Sequence, residues 1–163
     1  MTELEPLLER VRFVAFDFDG VFTHNRVWVN ERGEESLAFS RSDGLGLRRL
    51  DEVGVRYLIV SMERNPIVSA RAAKLRAECV QGVHDKLTLL RERLDGAGVP
   101  LEDAAYLGND VNDAECLRAV GCPVVPADAW PEVRTLAKLV LSRAGGTGCV
   151  REFCDAVWEA QLA

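Results

Sequence analysis

No stretch of the 163 residues reaches the roughly 18 consecutive apolar side chains that a membrane-spanning helix needs. The opening segment, MTELEPLLERVRF, carries Glu3, Glu5 and Glu9 where a secretory signal has a basic start and an apolar run. The expected location is therefore cytoplasmic, with no membrane partner. No CxxC pair occurs, and the five cysteines (Cys79, Cys116, Cys122, Cys149 and Cys154) are odd in number. That speaks against a disulfide framework and against a zinc site, and leaves reduced, buried thiols. Positive charge is also in short supply. A net charge of −6 has the wrong sign for nonspecific nucleic-acid binding, although an acidic protein can still hold a phosphate through a metal and a few local cations. No internal repeat, low-complexity tract or linker interrupts the chain.

What remains is an ordinary globular balance, 48% apolar and 28% charged, in a length that suits one domain over residues 1–163. Short apolar runs rich in β-branched and aromatic residues recur at Val11–Phe18, Val55–Ser61 and Ala104–Gly108, with weaker ones at Gly121–Pro126 and Lys138–Ser142. Between them the pattern turns helical, at about Asp43–Val53 (Leu45, Leu47 and Leu50 inward), Pro66–Ala77, Asp85–Gly96 and Val111–Val120. Continuous apolar strands alternating with helices predict an α/β fold, a doubly wound, Rossmann-like parallel sheet covered on both faces. One segment breaks the rhythm. NRVWVNERGEESLAFS (residues 25–40) alternates at Val27 and Val29, turns at Glu31-Arg32-Gly33 and resumes at Leu37 and Phe39. It predicts an inserted β-hairpin with Trp28 on the face opposite Val27 and Val29, and a hairpin apolar on both faces calls for a partner surface. No other insertion is long enough for a cap domain. The crevice beyond the strand ends, where open α/β sheets bind ligands, is left uncovered.

Candidate reactive residues cluster just past the expected strand ends. In Asp17-Phe18-Asp19-Gly20-Val21-Phe22-Thr23, two carboxylates at i and i+2 crowd like charge unless a cation or a proton relieves them, and Mg²⁺ is a hard cation suited to oxygen ligands. An Asx-rich turn is the simpler reading of the same residues. Ser61 ends the second strong run; its hydroxyl can donate to a phosphate oxygen or serve a turn. Lys86 opens a helix, where its ammonium can clamp a phosphate or lie on a solvated face. Gly108-Asn109-Asp110-Val111-Asn112-Asp113 supplies side-chain oxygens for a metal shell or for helix capping, and for holding Lys86. His84 is assigned no catalytic role.

Taken in order, DxDGxxT, Ser, Lys and an acidic cluster, each after a strand, resemble the haloacid dehalogenase superfamily of phosphatases over about Val11 to Val157. The resemblance implies Mg²⁺ as cofactor and an aspartyl-phosphate intermediate. Asp17 matches the nucleophile and Asp19 the general acid/base; both belong to the metal site, Asp19 through its backbone carbonyl. Ser61 and Lys86 match the phosphate-binding positions. Many members have Asp directly after the glycine of the last motif, where this chain has Asn109. Asn109 is then the first choice for the third metal ligand and Asp110 the second.

A narrower resemblance rests on the hairpin, on FSRSDGLGLRRL (Phe39–Leu50) and on GGTGCVREFCD (Gly145–Asp155). These look like the capless branch that dephosphorylates 3-deoxy-D-manno-octulosonate 8-phosphate and nonulosonate 9-phosphates, a module also fused to acylneuraminate cytidylyltransferases. Members are homotetramers whose hairpins assemble centrally, a neighbour covering each crevice. SMERNPIVSARAAKL is close to the nonulosonate version of the second motif, apart from Met62. By that match Glu63, Arg71 and Lys74 meet the sugar acid; Arg71 and Lys74, at i and i+3, share a helix face that is either a carboxylate site or a solvated basic face. The glycine-containing tail, about residues 145–163, is expected over a neighbour's site, with Arg151 in contact. Two further readings stay open: a tetramerising module with little catalysis, and a phosphatase of other small sugar phosphates.

Overall fold

The computed structural model describes residues 4–163. In chain order its elements are α1 (Glu5–Glu9), β1 (Phe13–Asp17), β2 (Trp28–Val29), β3 (Glu35–Ser36), α2 (Ser42–Glu52), β4 (Arg56–Val60), α3 (Pro66–Leu75) and β5 (Cys79–Val80). Then follow α4 (Lys86–Ala97), β6 (Ala104–Leu107), α5 (Ala114–Ala119), β7 (Cys122–Val125), α6 (Pro131–Arg134), β8 (Leu139–Val140) and α7 (Cys149–Leu162). Six strands form one parallel sheet in the order β5-β4-β1-β6-β7-β8. The chain winds outward from β1 through β4 to β5, then returns to the other side of β1 at β6. The crevice between β1 and β6 is thus the switch point of the sheet.

The unbroken apolar run of β1 is explained by cover on both faces. Val14 and Phe16 pack into one layer with Leu47 and Leu50 of α2, Val68 of α3 and Phe153 of α7. Phe13 and Ala15 point the other way, to Leu90 and Leu94 of α4 and Leu117 of α5. Both faces of the strand are dry, so neither alternates with polar residues.

Helix α2 corrects one expectation. Leu47 and Leu50 are buried, but Leu45 is 62% exposed. At 3.6 residues per turn Leu45 lies about 200° from Leu47, and the buried stripe runs through Asp43, Gly46, Leu47 and Leu50. Gly46 belongs to that stripe because α7 crosses it closely: a Cβ there would stand 2.9 Å from the Arg151 Cα. The tail after residue 145 therefore ends in a long helix packed on α2 in the same chain.

Asp43, also on the stripe, is 1% exposed, and neither carboxylate oxygen has a hydrogen-bond partner. Burial lifts its pKa from 3.8 to about 7, against the pull of the Arg151 backbone amide, which makes no hydrogen bond of normal geometry, and of Arg71. Between those values the folded chain holds a proton that the unfolded chain has released. This group's contribution is therefore complete below about pH 4 and lost as pH rises through about 7, a span of roughly 4 kcal/mol. Asp43→Asn is expected to remove that slope. Denaturant titrations at pH 5 and pH 8 should show the variant gaining on the wild-type chain by a few kcal/mol at the higher pH, and a constant gap would contradict this.

The hairpin is present but short. Trp28 pairs with Ser36 and Val29 with Glu35. Asn30 Oδ1 accepts from the backbone N–H groups of Arg32 and Glu34, and Gly33 takes a φ of +75° to close the turn. Val27, Trp28 and Val29 are all exposed, Trp28 by 73%, while Leu37 and Phe39 lean on the core. Among the described residues no helix is long and apolar enough to cross a membrane.

Candidate active site

Asp17 is the last residue of β1 and is 5% exposed. The D-F-D alternation sends Phe18 into the core, where its ring stacks on Phe22 at 5.7 Å, and leaves both carboxylates on the side of the crevice. Gly20, at φ +83°, turns the chain back. Buried Thr23 fixes that turn: its Oγ1 accepts from the Gly20 amide at 3.1 Å and the Asn25 amide at 3.2 Å.

Lys86, the first residue of α4, is 3% exposed. Its Nζ donates to Asp17 Oδ1 and to Asp113 Oδ1, both at 2.8 Å. Burial alone would lower its pKa, but the two carboxylates outweigh burial and raise it, so the ammonium stays charged. Burial first, and then the charge of Asp113, push the Asp17 carboxyl well up, against the pull of Lys86. Asp113 is fully buried and uses both oxygens. Oδ1 also accepts from the Tyr106 hydroxyl at 2.7 Å, and Oδ2 accepts from the amides of Asn109 at 2.9 Å and Asp110 at 3.3 Å. One carboxylate thereby holds Lys86 in place and shapes the loop after β6.

That loop delivers Asn109 to the crevice. One edge of its side-chain amide lies 3.0 Å from Asp17 Oδ2 and 2.8 Å from the Asp19 carbonyl. With Oδ1 on that edge, three oxygens face one another with no donor among them. Such separations match the edge, about 2.9 Å, of an octahedron with metal–oxygen bonds of about 2.0–2.1 Å. With Nδ2 on that edge, the amide hydrogen-bonds both acceptors instead. The donor set thus fits a hard divalent cation. Among the described residues no three His, Cys, Asp or Glu side chains gather as a metal cluster, because this oxygen face draws on an amide and a backbone carbonyl.

No protein-family model matches the chain. Curated relatives do. The 3-deoxy-D-manno-octulosonate 8-phosphate phosphatase of Salmonella typhi is 33% identical over 161 residues, covering 98% of this chain and 86% of that protein. The chain belongs to this phosphatase family, within the haloacid dehalogenase superfamily. Among solved structures, a putative hydrolase of that superfamily from Streptomyces avermitilis is 39% identical with a TM-score of 0.89, covering 93% of this chain and 87% of its own. The octulosonate phosphatase of Moraxella catarrhalis, solved with a magnesium ion, a phosphate ion and a KDO molecule, is 30% identical with a TM-score of 0.94. It covers 99% of this chain and 94% of its own.

The phosphatase places its other predicted residues unevenly. Ser61, one residue beyond β4, is 1% exposed; the register pairs Asp17 with Val60, so Ser61 follows one residue past the level of Asp17 at the same end of the sheet. Its Oγ accepts from the Glu63 amide at 3.1 Å, leaving the hydroxyl proton free to donate. Asp110 lines the hollow of about 100 Å³ that Asp17, Asp19 and Asn109 share, and one oxygen of its carboxylate, Oδ1, caps the next turn by accepting from the Val111 amide at 2.7 Å. It is Asn109 that faces Asp17. Asp19 opens from that hollow into a cleft of about 280 Å³ walled by Arg26, Glu35 and Leu37 of the hairpin and by Glu63 and Ile67. Burial, and then Glu63, raise the Asp19 pKa; Lys86 opposes them and Glu35 adds to them.

Arg71 and Lys74 do not line this cleft. Arg71 donates to the Ser40 carbonyl at 2.9 Å and lies 5.0 Å over the Phe39 ring, and Lys74 is exposed in the last turn of α3. A backbone acceptor takes one Nη of the guanidinium and an aromatic ring lies under it, while its Nε is buried without a partner. Asn65, which caps α3, donates to Glu35 at 2.8 Å and ties the hairpin to the cleft. The tail glycines serve their own chain. A Cβ on Gly145 would collide with the Gly20 carbonyl, and the Gly146 amide donates to the Val21 carbonyl at 3.0 Å, so the tail braces the loop that carries Asp19. Arg151 is held within α7 by Asp155 at 2.7 Å. Sequence reasoning missed Tyr106, which reads only as a strand residue until Asp113 is placed beside it.

Proposed function

We propose that the chain hydrolyses a phosphorylated 2-keto-3-deoxy sugar acid with the help of Mg²⁺, nonulosonate 9-phosphate ahead of octulosonate 8-phosphate. The observation that carries the reading is the oxygen face of Asp17, the Asp19 carbonyl and Asn109, with Lys86 on the other oxygen of Asp17. Mg²⁺ held there by these three groups supplies positive charge to the phosphoryl oxygens and offsets what burial withdraws from Asp17.

The chain's own groups do the rest. Ser61 and Lys86 hold phosphoryl oxygens by a hydroxyl and an ammonium. The Asp17 carboxylate attacks phosphorus, and the bond to the sugar oxygen breaks as Asp19 passes its proton to that oxygen. Asp19, now ionised, takes a proton from water, whose oxygen attacks the same phosphorus. The acyl-phosphate bond breaks, returning Asp17 and inorganic phosphate. A raised pKa suits Asp19 to the first of these proton transfers. Glu63, pinned by the amides of Arg64 at 2.8 Å and Asn65 at 3.0 Å, presents its carboxylate to sugar hydroxyls in the cleft. The apolar tip Val27-Trp28-Val29 supports assembly as a homotetramer, checked by the mass in solution.

A panel of octulosonate 8-phosphate, nonulosonate 9-phosphates and hexose phosphates tests the reading. The expected order places both sugar acids above hexose phosphates, nonulosonate first, with all release abolished by EDTA and restored by Mg²⁺. Octulosonate ahead would overturn the finer assignment, and an inert, folded tetramer would favour a non-catalytic module.

A further inference from the structure

Asn109 brings an amide to a place where a carboxylate would also supply the metal oxygen. The difference between the two matters most when no metal is present. Asp17 Oδ2 and the Asp19 carbonyl are both acceptors, and they converge on one point of the Asn109 side chain. A carboxylate at that point adds a third acceptor and a second charge. An amide can present a donor there.

We infer that Asn109 acts as an internal stand-in for the cation: without metal its Nδ2 donates to Asp17 Oδ2 and the Asp19 carbonyl, and metal entry turns the amide over so that Oδ1 faces inward. This rests on the metal site proposed above and concerns how that site behaves when empty. The backbone of Asn109 is fixed on both sides, its amide donating to Asp113 Oδ2 at 2.9 Å and its carbonyl accepting from the Trp130 amide at 3.0 Å. Any rearrangement is therefore confined to the side chain. Gly20 makes room for it, since a Cβ there would collide with the Asn109 amide group. The amide lowers metal affinity twice over, by withholding a formal charge and by hydrogen bonds that the metal must displace. In return the metal-free crevice is satisfied.

The test is made without substrate. Calorimetric titration with Mg²⁺ is expected to show Asn109→Asp binding about tenfold tighter or more than the wild-type chain. In EDTA the variant should melt below the wild-type chain, and saturating Mg²⁺ should reverse that order. Equal affinities together with equal melting in EDTA would overturn the inference, as would a wild-type chain that binds no Mg²⁺. If the variant does not fold, NMR of the wild-type side-chain amides decides. The Asn109 NH₂ pair should be protected from exchange in EDTA and lose that protection on adding Mg²⁺; an unchanged pair rules the turnover of the amide out. Mg²⁺ binding with this response but no phosphate release would instead defeat the phosphatase mechanism alone.

Discussion

Asp17→Asn is expected to lower phosphate release by roughly 10⁴-fold or more at saturating Mg²⁺, because an amide oxygen is a poor nucleophile and no neighbour can take over its role. Asp113, the other fully buried carboxylate of the site, is committed to Lys86, Tyr106 and two backbone amides. Asp19 is partly exposed and opens on the hairpin cleft, and the proposed mechanism already uses it for proton transfer. The fold should survive, since the amide oxygen still accepts from Lys86. Steady-state phosphate release, with melting curves for both chains, is the check. Turnover within tenfold of the wild-type chain would remove Asp17 from the mechanism.

Lys86→Met is expected to damage both stability and activity. The ammonium is buried between two carboxylates at 2.8 Å each, and its loss leaves like charges facing each other without a counter-ion. Breaking a buried pair from one side costs about 3–5 kcal/mol. Activity should fall at least roughly 10²-fold, through the lost phosphate contact and the displaced Asp17. Lys86→Arg should recover little, because a planar guanidinium does not fit a slot shaped for a point charge between Asp17 and Asp113. Guanidinium titrations of all three chains measure the stability loss, and a change below about 1 kcal/mol for Lys86→Met would show that the ion pair is not structural.

Much of this was legible in the sequence, for definite physical reasons. Strands covered on both faces must be continuously apolar, so β1, β4 and β6 stood out, and Asp17, Ser61 and Asn109 could be placed at their ends. Lys86 was legible as a helix start, but its partner Asp113 was not separable from the neighbouring Asn112 and Asp110, all plausible caps. Only the three-dimensional course of the loop divides them, sending Asp113 inward, Asp110 to the Val111 amide and Asn109 to Asp17. The i,i+3 pair Arg71 and Lys74 admitted two readings, because spacing fixes a shared helix face but not what that face meets; in this chain Arg71 meets Phe39 and Ser40, and Lys74 is exposed. Leu45 was misread through composition, three leucines in a helix being assumed to share one stripe. The tail was expected over a neighbour's site; within this chain its glycines Gly145 and Gly146 approach the loop after β1, a contact that spacing alone does not reveal.

The central claim, that Asp17 carries the phosphoryl group, is tested most directly by trapping it. The chain is mixed with radiolabelled octulosonate or nonulosonate phosphate and Mg²⁺, quenched in acid within the first turnover, digested and mapped by mass spectrometry. The account predicts label on the peptide containing Asp17, acid-stable and hydroxylamine-labile as an acyl phosphate is, with slower labelling and slower turnover in Asp19→Ala, which lacks the group for both proton transfers. Full turnover with no phosphorylated residue, or label on any residue other than Asp17, would contradict it.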